Sequence, residues 1–219
     1  MFAHLLLDVS VPVLKTFQTA DDALQTVQDT FFRNLPVTDD SGNYVGMIRE
    51  DMLLETTHPD ALLEQLAEPI AALKPDTHLF DILKEFTQNG LSILPVAEET
   101  GLLLGCISHE SVIQHLTRES AVAEPGGIIV LELKAIDYSL AEMARIVESN
   151  NAVVLHSYIT PRQDREKILV TLKLNKIDLK EVIATFERFE YQIVAVFHIS
   201  EYEEGLKERY DSLMMYLDV

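Results

Sequence analysis

The sequence has little of what several classes of protein require. Its 219 residues include one cysteine, Cys106, so no disulfide can form within the chain, which favours a reducing, cytoplasmic location. No run of about 18 apolar residues is present, so we expect no membrane span. Residues 1–8 lack a basic start, and their apolar run is too short for a secretory signal.

Basic residues are also scarce. The chain has 17 Lys and Arg against 36 Asp and Glu, a formal net charge of −19. Proteins that bind nucleic acid neutralise its phosphates with Lys and Arg, so this balance argues against a nucleic-acid partner. Residues 1–124 hold 20 of the acidic residues but only 6 of the basic ones, so a phosphate-bearing ligand finds few cations there.

Motifs that carry catalysis or hold metals are missing. None of the seven histidines has His-Glu-x-x-His spacing, and Cys106 has no Cys or His partner at a metal-site interval. There is no Gly-x-x-x-x-Gly-Lys loop and no Gly-x-Ser-x-Gly elbow. Cys106 itself stands in an apolar run and is interpreted as a small core residue. We therefore expect no catalytic residue, no metal site and no enzyme activity.

What the chain does contain is an internal repeat with a period of about 60 residues. Residues 34–37 (Asn-Leu-Pro-Val) and 93–96 (Ile-Leu-Pro-Val) are short apolar strands. A Gly-containing turn follows each of them, at 39–43 and 98–101, and a second apolar strand follows each turn. This pattern predicts two β-hairpins.

An amphipathic helix is predicted before each hairpin, and a further helix is predicted to begin after each one, near Arg49 and near Ser108. The candidate N-caps are Thr19 or Asp21 in the first copy and Asp76 or Thr77 in the second. The apolar faces of the two leading helices are predicted to consist of Leu24, Val27 and Phe31 in the first copy and Leu79, Ile82, Leu83 and Phe86 in the second.

Residues 125–127 (Pro-Gly-Gly) end the repeat and mark a boundary. Alternating and helical patterns then predict the order βαββαβ, with strands at 128–133, 152–159, 167–174 and 191–199 and helices at 139–149 and 178–189. This is the order of a ferredoxin-like domain. The predicted inward residues are Ile129, Leu131, Leu133, Leu140, Met143, Ala144, Val147, Leu179, Val182, Ile183 and Phe186.

The last segment, residues 201–219, is predicted to be a helix with one apolar stripe. Two interpretations stay open: the stripe packs on its own domain, or it pairs with a second subunit. The stripe consists of Tyr202, Leu206, Tyr210, Leu213 and Leu217.

Residues 8–118 resemble a pair of CBS motifs, at about 8–56 and 66–118. The features that carry the resemblance occur twice: Leu-Pro-Val, a Gly-containing turn and a Gly-apolar-Ile run. The resemblance implies one module, a Bateman module, over residues 1–124. Residues 125–200 resemble an ACT domain, since residues 140–146 (Leu-Ala-Glu-Met-Ala-Arg-Ile) are similar to the first ACT helix. The implied fold class is mixed, α+β and α/β: tandem CBS motifs, a ferredoxin-like ACT-like domain and the C-terminal helix.

The CBS resemblance implies a ligand held between the motifs, of adenosine type: AMP, ATP or S-adenosylmethionine. Such sites use Gly-x-x-Thr/Ser-x-x-Asp/Asn, in which the hydroxyl bonds a phosphate and the carboxylate takes the ribose hydroxyls. The candidate ligand-binding residues are Gly105, Ser108, Ser111, Pro95 and Val96 in the second copy and Gly46 and Arg49 in the first.

The two copies depart differently from this pattern. The second copy keeps the hydroxyl at Ser108 and is the better candidate, although Ser111 replaces the carboxylate. In the first copy Met52 replaces it, and Asp51 stands one residue early, which on a helix points about 100° away. Arg49 either contacts a phosphate or pairs with Glu50 or Asp51.

ACT effector sites often use a glycine after the first strand, where a bare backbone approaches the ligand. Here Tyr138 stands at that position, so association is a better expectation for this domain than amino-acid binding. Two functions follow for the whole chain: a non-enzymatic regulatory sensor, or an oligomerising interaction module with degenerate ligand sites. Both resembled families imply a homodimer, and a separate protein partner is also open.

Overall fold

The computed structural model describes residues 1–119, 123–162 and 166–197. The chain divides into two compact units after Leu116. The boundary inferred from the sequence, after residue 124, stays a prediction. The predicted C-terminal helix at 201–219 lies outside the described residues. No helix among the described residues is long and apolar enough to cross a bilayer.

The first unit is built from two copies of one helix-and-hairpin element. Its elements are β1 (Leu14–Lys15), α1 (Ala20–Gln28), β2 (Asn34–Thr38), β3 (Tyr44–Arg49), α2 (Glu50–Glu55), α3 (Leu63–Leu66), α4 (Leu79–Asn89), β4 (Ile93–Ala97), β5 (Leu103–Ser108) and α5 (His109–Glu119).

The two hairpins have the same register. Val37 pairs with Gly46 in the β2–β3 hairpin, and Val96 pairs with Gly105 in the β4–β5 hairpin. Both ladders then shift register directly after that pair. In each copy a short extended stretch lies parallel to the first strand of its own hairpin: β1 along β2, and Leu73 as a single bridge to Val96. The predicted duplication is confirmed.

The N-cap of α1 is Thr19, one of the two candidates predicted from the sequence. The Thr19 hydroxyl accepts from the Asp22 N–H, and the Asp22 carboxylate accepts from the Thr19 N–H, which forms a capping box. The prediction for Phe31 is wrong: α1 ends at Gln28, and Phe31 is fully exposed. The helix stops early because the Thr30 N–H and hydroxyl both donate to the Val27 carbonyl, and Phe32 packs on the core instead.

In the second copy, the N-cap of α4 is His78, whose Nδ1 accepts from the Phe80 N–H, and not Asp76 or Thr77 as predicted. The Thr77 carbonyl is already occupied, because it accepts from the N–H of Ala3. The predicted apolar face is confirmed for three of its four members, while Leu83 is 39% exposed.

The leading segments of the two copies, residues 1–8 and 62–68, each pack against the other copy. The 3-10 turn at Ala3–Leu5 and the following Leu6 pack in the core of the second copy, with α4 and β5. Helix α3, which precedes the second copy, packs through Leu63 in the core of the first, with α1, β2 and β3. Each copy therefore completes its core with chain that precedes the other copy.

Direct hydrogen bonds also join the hairpins. The Asn34 side chain is buried; its Nδ2 donates to the Ile93 carbonyl (3.1 Å), and its Oδ1 accepts from the Ser92 N–H (2.8 Å) and Ser92 hydroxyl (2.6 Å). At the other end of the strands, the Tyr44 N–H donates to the Gly101 carbonyl (2.8 Å). The copies therefore form one folded body.

The second unit has the predicted order βαββαβ. Its elements are β6 (Ile128–Lys134), α6 (Leu140–Ser149), β7 (Val154–Pro161), β8 (Lys167–Leu174), α7 (Lys180–Arg188) and β9 (Gln192–Phe197). The strands form one antiparallel sheet in the order β7-β8-β6-β9. The core lies on the sheet face that α6 and α7 cover.

Helix α6 differs from its prediction in one respect. Met143 and Val147 are buried as expected, but Leu140 is 39% exposed and Ile146 takes an inward position. Leu140 is the first residue of the helix and follows the Ser139 N-cap directly. The predicted stripe of α7 is confirmed, with Leu179, Val182 and Phe186 fully buried.

Candidate functional site

The exchanged leading segments cross the two hairpins at equivalent places. The Asp8 N–H donates to the Cys106 carbonyl in β5 (2.8 Å). Met47 in β3 and Glu68 exchange two backbone hydrogen bonds (2.9 and 2.8 Å). Each crossing brings one acidic side chain to the end of a hairpin where a CBS ligand motif is predicted: Asp8 in the second copy and Glu68 in the first.

At the second copy, the predicted site hydroxyls are already hydrogen-bonded. The Ser108 hydroxyl is buried and donates to the Asp8 carboxylate, and it also accepts from the Ser111 N–H (3.0 Å). The Ser111 hydroxyl in turn accepts from the Ser108 N–H (3.1 Å). Ser108 and Ser111 therefore cap the start of α5, with the reciprocal geometry of a capping box.

The Asp8 carboxylate beside Ser108 is held in its charged form. Burial alone raises its pKa, but hydrogen bonds from Ser10 and Ser108 outweigh burial, and the net pKa is lowered. A phosphate brought to Ser108 would meet this negative charge. Ser108 and Ser111 thus lie together, in surroundings that disfavour a phosphate.

At the first copy, Arg49 pairs with Asp51, one of the two interpretations left open by the sequence. Its Nε and Nη2 donate to the two Asp51 oxygens (3.1 and 2.5 Å), and Nη1 lies 4.0 Å from Glu68 Oε2. The hydrogen bond from Arg49 lowers the pKa of Asp51, and the pair raises the pKa of Arg49. Both side chains stay about half exposed and within reach of a ligand.

The two predicted site glycines lie where the leading segments cross. A Cβ on Gly46 would stand 2.3 Å from the Glu68 carbonyl oxygen, so only glycine lets that backbone approach. Gly105 has φ +149° and faces the Leu7 side chain. Pro95 and Val96 are buried. The Leu73 N–H donates to the Pro95 carbonyl, and the Leu73 carbonyl accepts from the Ala97 N–H, so Leu73 is hydrogen-bonded on both sides of Val96. The structure gives these four residues packing roles.

A cavity of about 380 Å³ opens beside the first copy. It contains one cation, Arg49, and three carboxylates, so its charge is negative. Its lining consists of Arg49, Asp51, Met52, Glu55, Thr56, Leu66 and Glu68. Arg49 and Asp51 also line a neighbouring cavity of about 380 Å³, which reaches Arg33, Asn34 and residues 89–91.

Sequence reasoning missed Asp8 and Glu68 as site residues. Both stand before a copy in the sequence but act at the other copy, so proximity along the chain pointed away from their place. The available signal was the spacing itself: an acid occurs before each copy at nearly the same distance from its hairpin. The spacing indicates a site residue only once it is known that each leading segment packs on the other copy.

Cys106 is a core residue, as predicted. It is 1% exposed in β5, and burial, with a smaller contribution from Asp8, raises the pKa of its thiol to about 12. A thiol with that pKa is almost entirely protonated at neutral pH and reacts slowly. Within residues 1–119, 123–162 and 166–197, no three His, Cys, Asp or Glu side chains are arranged to hold a metal ion.

Comparison with protein families identifies the duplicated element. Residues 7–58 and 63–118 each match the family model described as CBS domain. The two matches correspond to the two copies: Asp8 lies in the first match, and α3 and Glu68 lie in the second.

Solved structures similar to this chain include proteins with CBS domains, and three of them each cover about half of it. A CBS domain pair/ACT domain protein from Thermotoga maritima is 18% identical over 54% of this chain and 98% of its own, with a TM-score of 0.49. The CBS domains of a transcriptional regulator from Streptococcus pneumoniae are 16% identical over 52% and 98%, with a TM-score of 0.47. The protein CBSX2 in complex with AMP is 23% identical over 50% and 90%, with a TM-score of 0.45.

Proposed function

Residues 7–58 and 63–118 are a pair of CBS domains, and from this premise we propose a non-enzymatic regulatory protein that holds an adenosine-type ligand in the cavity beside Arg49. In this proposal residues 1–124 are the ligand-holding module, and residues 125–200 are an ACT-like domain that responds to it. The observation that carries the proposal is the cavity lined by both Arg49 and Asp51, at the first-copy ligand motif.

The charge of the cavity favours one member of the adenosine class. AMP and ATP would bring two or more negative charges to three carboxylates and one arginine, whereas S-adenosylmethionine carries a sulfonium and an ammonium group and a single carboxylate. The Arg49 guanidinium can donate hydrogen bonds to that carboxylate, and the two oxygens of Asp51 can accept hydrogen bonds from the ribose hydroxyls. Glu55 and Glu68 then face the positive groups. The volume, about 380 Å³, is in the range of small-molecule sites.

Labelling of Cys106 tests this binding, because the only cysteine is buried in the first unit and reacts when that unit opens. S-adenosylmethionine at about 100 times its dissociation constant is expected to stabilise the unit by about 2.7 kcal/mol and slow labelling about 100-fold. Adenosine, AMP and ATP at equal concentration are expected to protect less. Stronger protection by AMP or ATP would contradict the charge assignment, and no protection by any of them would contradict ligand binding.

Variants locate the site in the same assay. Arg49→Gln is expected to weaken protection by S-adenosylmethionine about tenfold, because a charge-assisted hydrogen bond is lost. Arg33→Gln makes the same chemical change at an exposed residue that lines only the neighbouring cavity, so it is the matched control. Equal effects of the two variants would place the ligand elsewhere.

A second candidate function, association between copies, is supported by aromatic rings on the surface of the first unit. Phe17, Phe31 and Phe80 are 62%, 103% and 73% exposed, and burying a phenylalanine contributes about 1.5–3 kcal/mol. Light scattering is expected to find a homodimer that Phe31→Ser weakens about tenfold or more. Phe189→Ser, at a half-exposed ring in the second unit, is the control. A monomeric wild-type protein at every concentration would rule this candidate out.

A further inference from the structure

The two leading segments place an acidic residue at equivalent positions of the two hairpins. Met47 in β3 and Cys106 in β5 each pair with the proline of the Leu-Pro-Val strand beside them. Glu68 forms an antiparallel bridge with Met47. Asp8 forms the corresponding bridge with Cys106. The two acids therefore occupy the same place in the duplicated fold, and each comes from the leading segment of the other copy.

Each acid reaches the residue that lies two positions further along the hairpin strand. The Asp8 carboxylate accepts a hydrogen bond from the Ser108 hydroxyl. Oε2 of Glu68 lies 4.0 Å from Nη1 of Arg49. Ser108 and Arg49 hold the same position in the two candidate ligand motifs. In the second copy the acid already engages that position, whereas in the first copy it faces an arginine that lines an open cavity.

Glu68 is fixed through its backbone and only partly exposed. Its N–H donates to the Met47 carbonyl (2.8 Å), and its carbonyl accepts from the N–H groups of Met47 (2.9 Å) and Ile70 (2.8 Å). Its side chain is 37% exposed. Glu55, another carboxylate of the cavity, is an exposed residue at the end of α2. Because solvent and salt screen a partly buried charge less, Glu68 acts on a ligand more strongly than Glu55 does.

The charges that face the cavity leave it negative. Arg49 and Asp51 form an ion pair, so their charges largely offset each other. The neighbouring cavity adds one arginine and one glutamate, again one charge of each sign. The pKa of Arg49 is raised mainly by its hydrogen bond and ion pair with Asp51, and the charge of Glu68 adds to the increase. The remaining negative charge belongs to Glu55 and Glu68.

From these observations we propose that Glu68 sets the class of ligand in the Arg49 cavity, by excluding phosphate groups and admitting cationic ones. This inference rests on the proposed function, because it names the selecting residue of the same cavity. A phosphate beside Glu68 would bring like charges together, which lowers affinity, whereas a sulfonium or ammonium group is attracted. The leading segment of the second copy thus determines the specificity of a site in the first.

Equilibrium dialysis of AMP and of S-adenosylmethionine against full-length Glu68→Gln tests the proposal. The amide keeps the size and the backbone hydrogen bonds of Glu68 and removes its charge. AMP is expected to bind about tenfold more tightly than to the wild-type protein, and S-adenosylmethionine about tenfold more weakly. The ratio of the two dissociation constants then changes about 100-fold. Glu64→Gln is the matched control, because Glu64 is exposed on the same segment and does not line the cavity.

Labelling of Cys106 without ligand, expected at the wild-type rate, checks that Glu68→Gln is folded. A ratio of dissociation constants that Glu68→Gln leaves unchanged, or that Glu64→Gln changes equally, would overturn the proposal. The proposed function would stand in that case if Arg49→Gln still weakens S-adenosylmethionine binding. Conversely, tighter AMP binding to Glu68→Gln, with no S-adenosylmethionine binding to the wild-type protein, would support Glu68 as the selecting residue and contradict the proposed ligand.

Discussion

Gly46→Ala is expected to destabilise the first unit by about 3 kcal/mol, because the new methyl group would stand 2.3 Å from the Glu68 carbonyl oxygen. The obstacle is backbone, which cannot rotate away. Relief requires Glu68 to move, which breaks its two hydrogen bonds with Met47. The leading segment of the second copy would then lose its hold on the first.

Labelling of Cys106 across a urea series measures this loss in the first unit alone. The midpoint for Gly46→Ala is expected about 1–3 M lower than for the wild-type protein. Gly90→Ala is the control: its φ of +63° disfavours alanine by about 1 kcal/mol, but no atom lies within 4 Å of the new methyl group. If Gly46→Ala costs no more than Gly90→Ala, the crossing of Glu68 over Gly46 is not as described.

Asn34→Ala is expected to cost about 2–3 kcal/mol, the second largest effect. The substitution removes a buried side chain that makes three hydrogen bonds to Ser92 and Ile93, and it leaves the Ser92 N–H and the Ile93 carbonyl without those partners. Because Asn34 joins one copy to the other, the loss weakens their union as well as the fold of each.

The same urea series with Cys106 labelling measures this effect. Asn89→Ala is the matched control, since Asn89 is exposed and its amide donates only to the Glu85 carboxylate at the surface. The control is expected to change stability by less than about 0.5 kcal/mol. Equal midpoints for the two variants would show that the Asn34 bridge contributes nothing to joining the copies.

Local patterns in the sequence predicted the elements well, because their causes are local. The hairpins follow from short apolar strands around Gly-containing turns, and the start of α1 follows from Thr19 and Asp22, three residues apart. The βαββαβ order follows from changes of hydrophobic period. Errors arose at helix ends, at Phe31 and His78, where hydrogen bonds from turns and from the distant Ala3 decide the cap.

The candidate site was harder to predict because its decisive contacts are long-range. Nothing in the sequence near Ser108 indicates that Asp8, a hundred residues earlier, accepts its hydrogen bond. Likewise, Gly46 fits a ligand motif in the sequence, whereas its contact with Glu68 gives it a packing role. The pairing of Arg49 with Asp51 was foreseen as one alternative because it involves neighbours in sequence.

Equilibrium dialysis of S-adenosylmethionine against the full-length protein tests the central claim most directly, since it counts ligand without relying on stability. We expect one molecule bound per chain, with affinity reduced by Arg49→Gln and unchanged by Arg33→Gln. Two equivalent molecules per chain would mean that the Ser108 cleft binds as well as the Arg49 cavity. No binding, or binding that Arg49→Gln leaves intact, would contradict the assignment of the cavity as the ligand site.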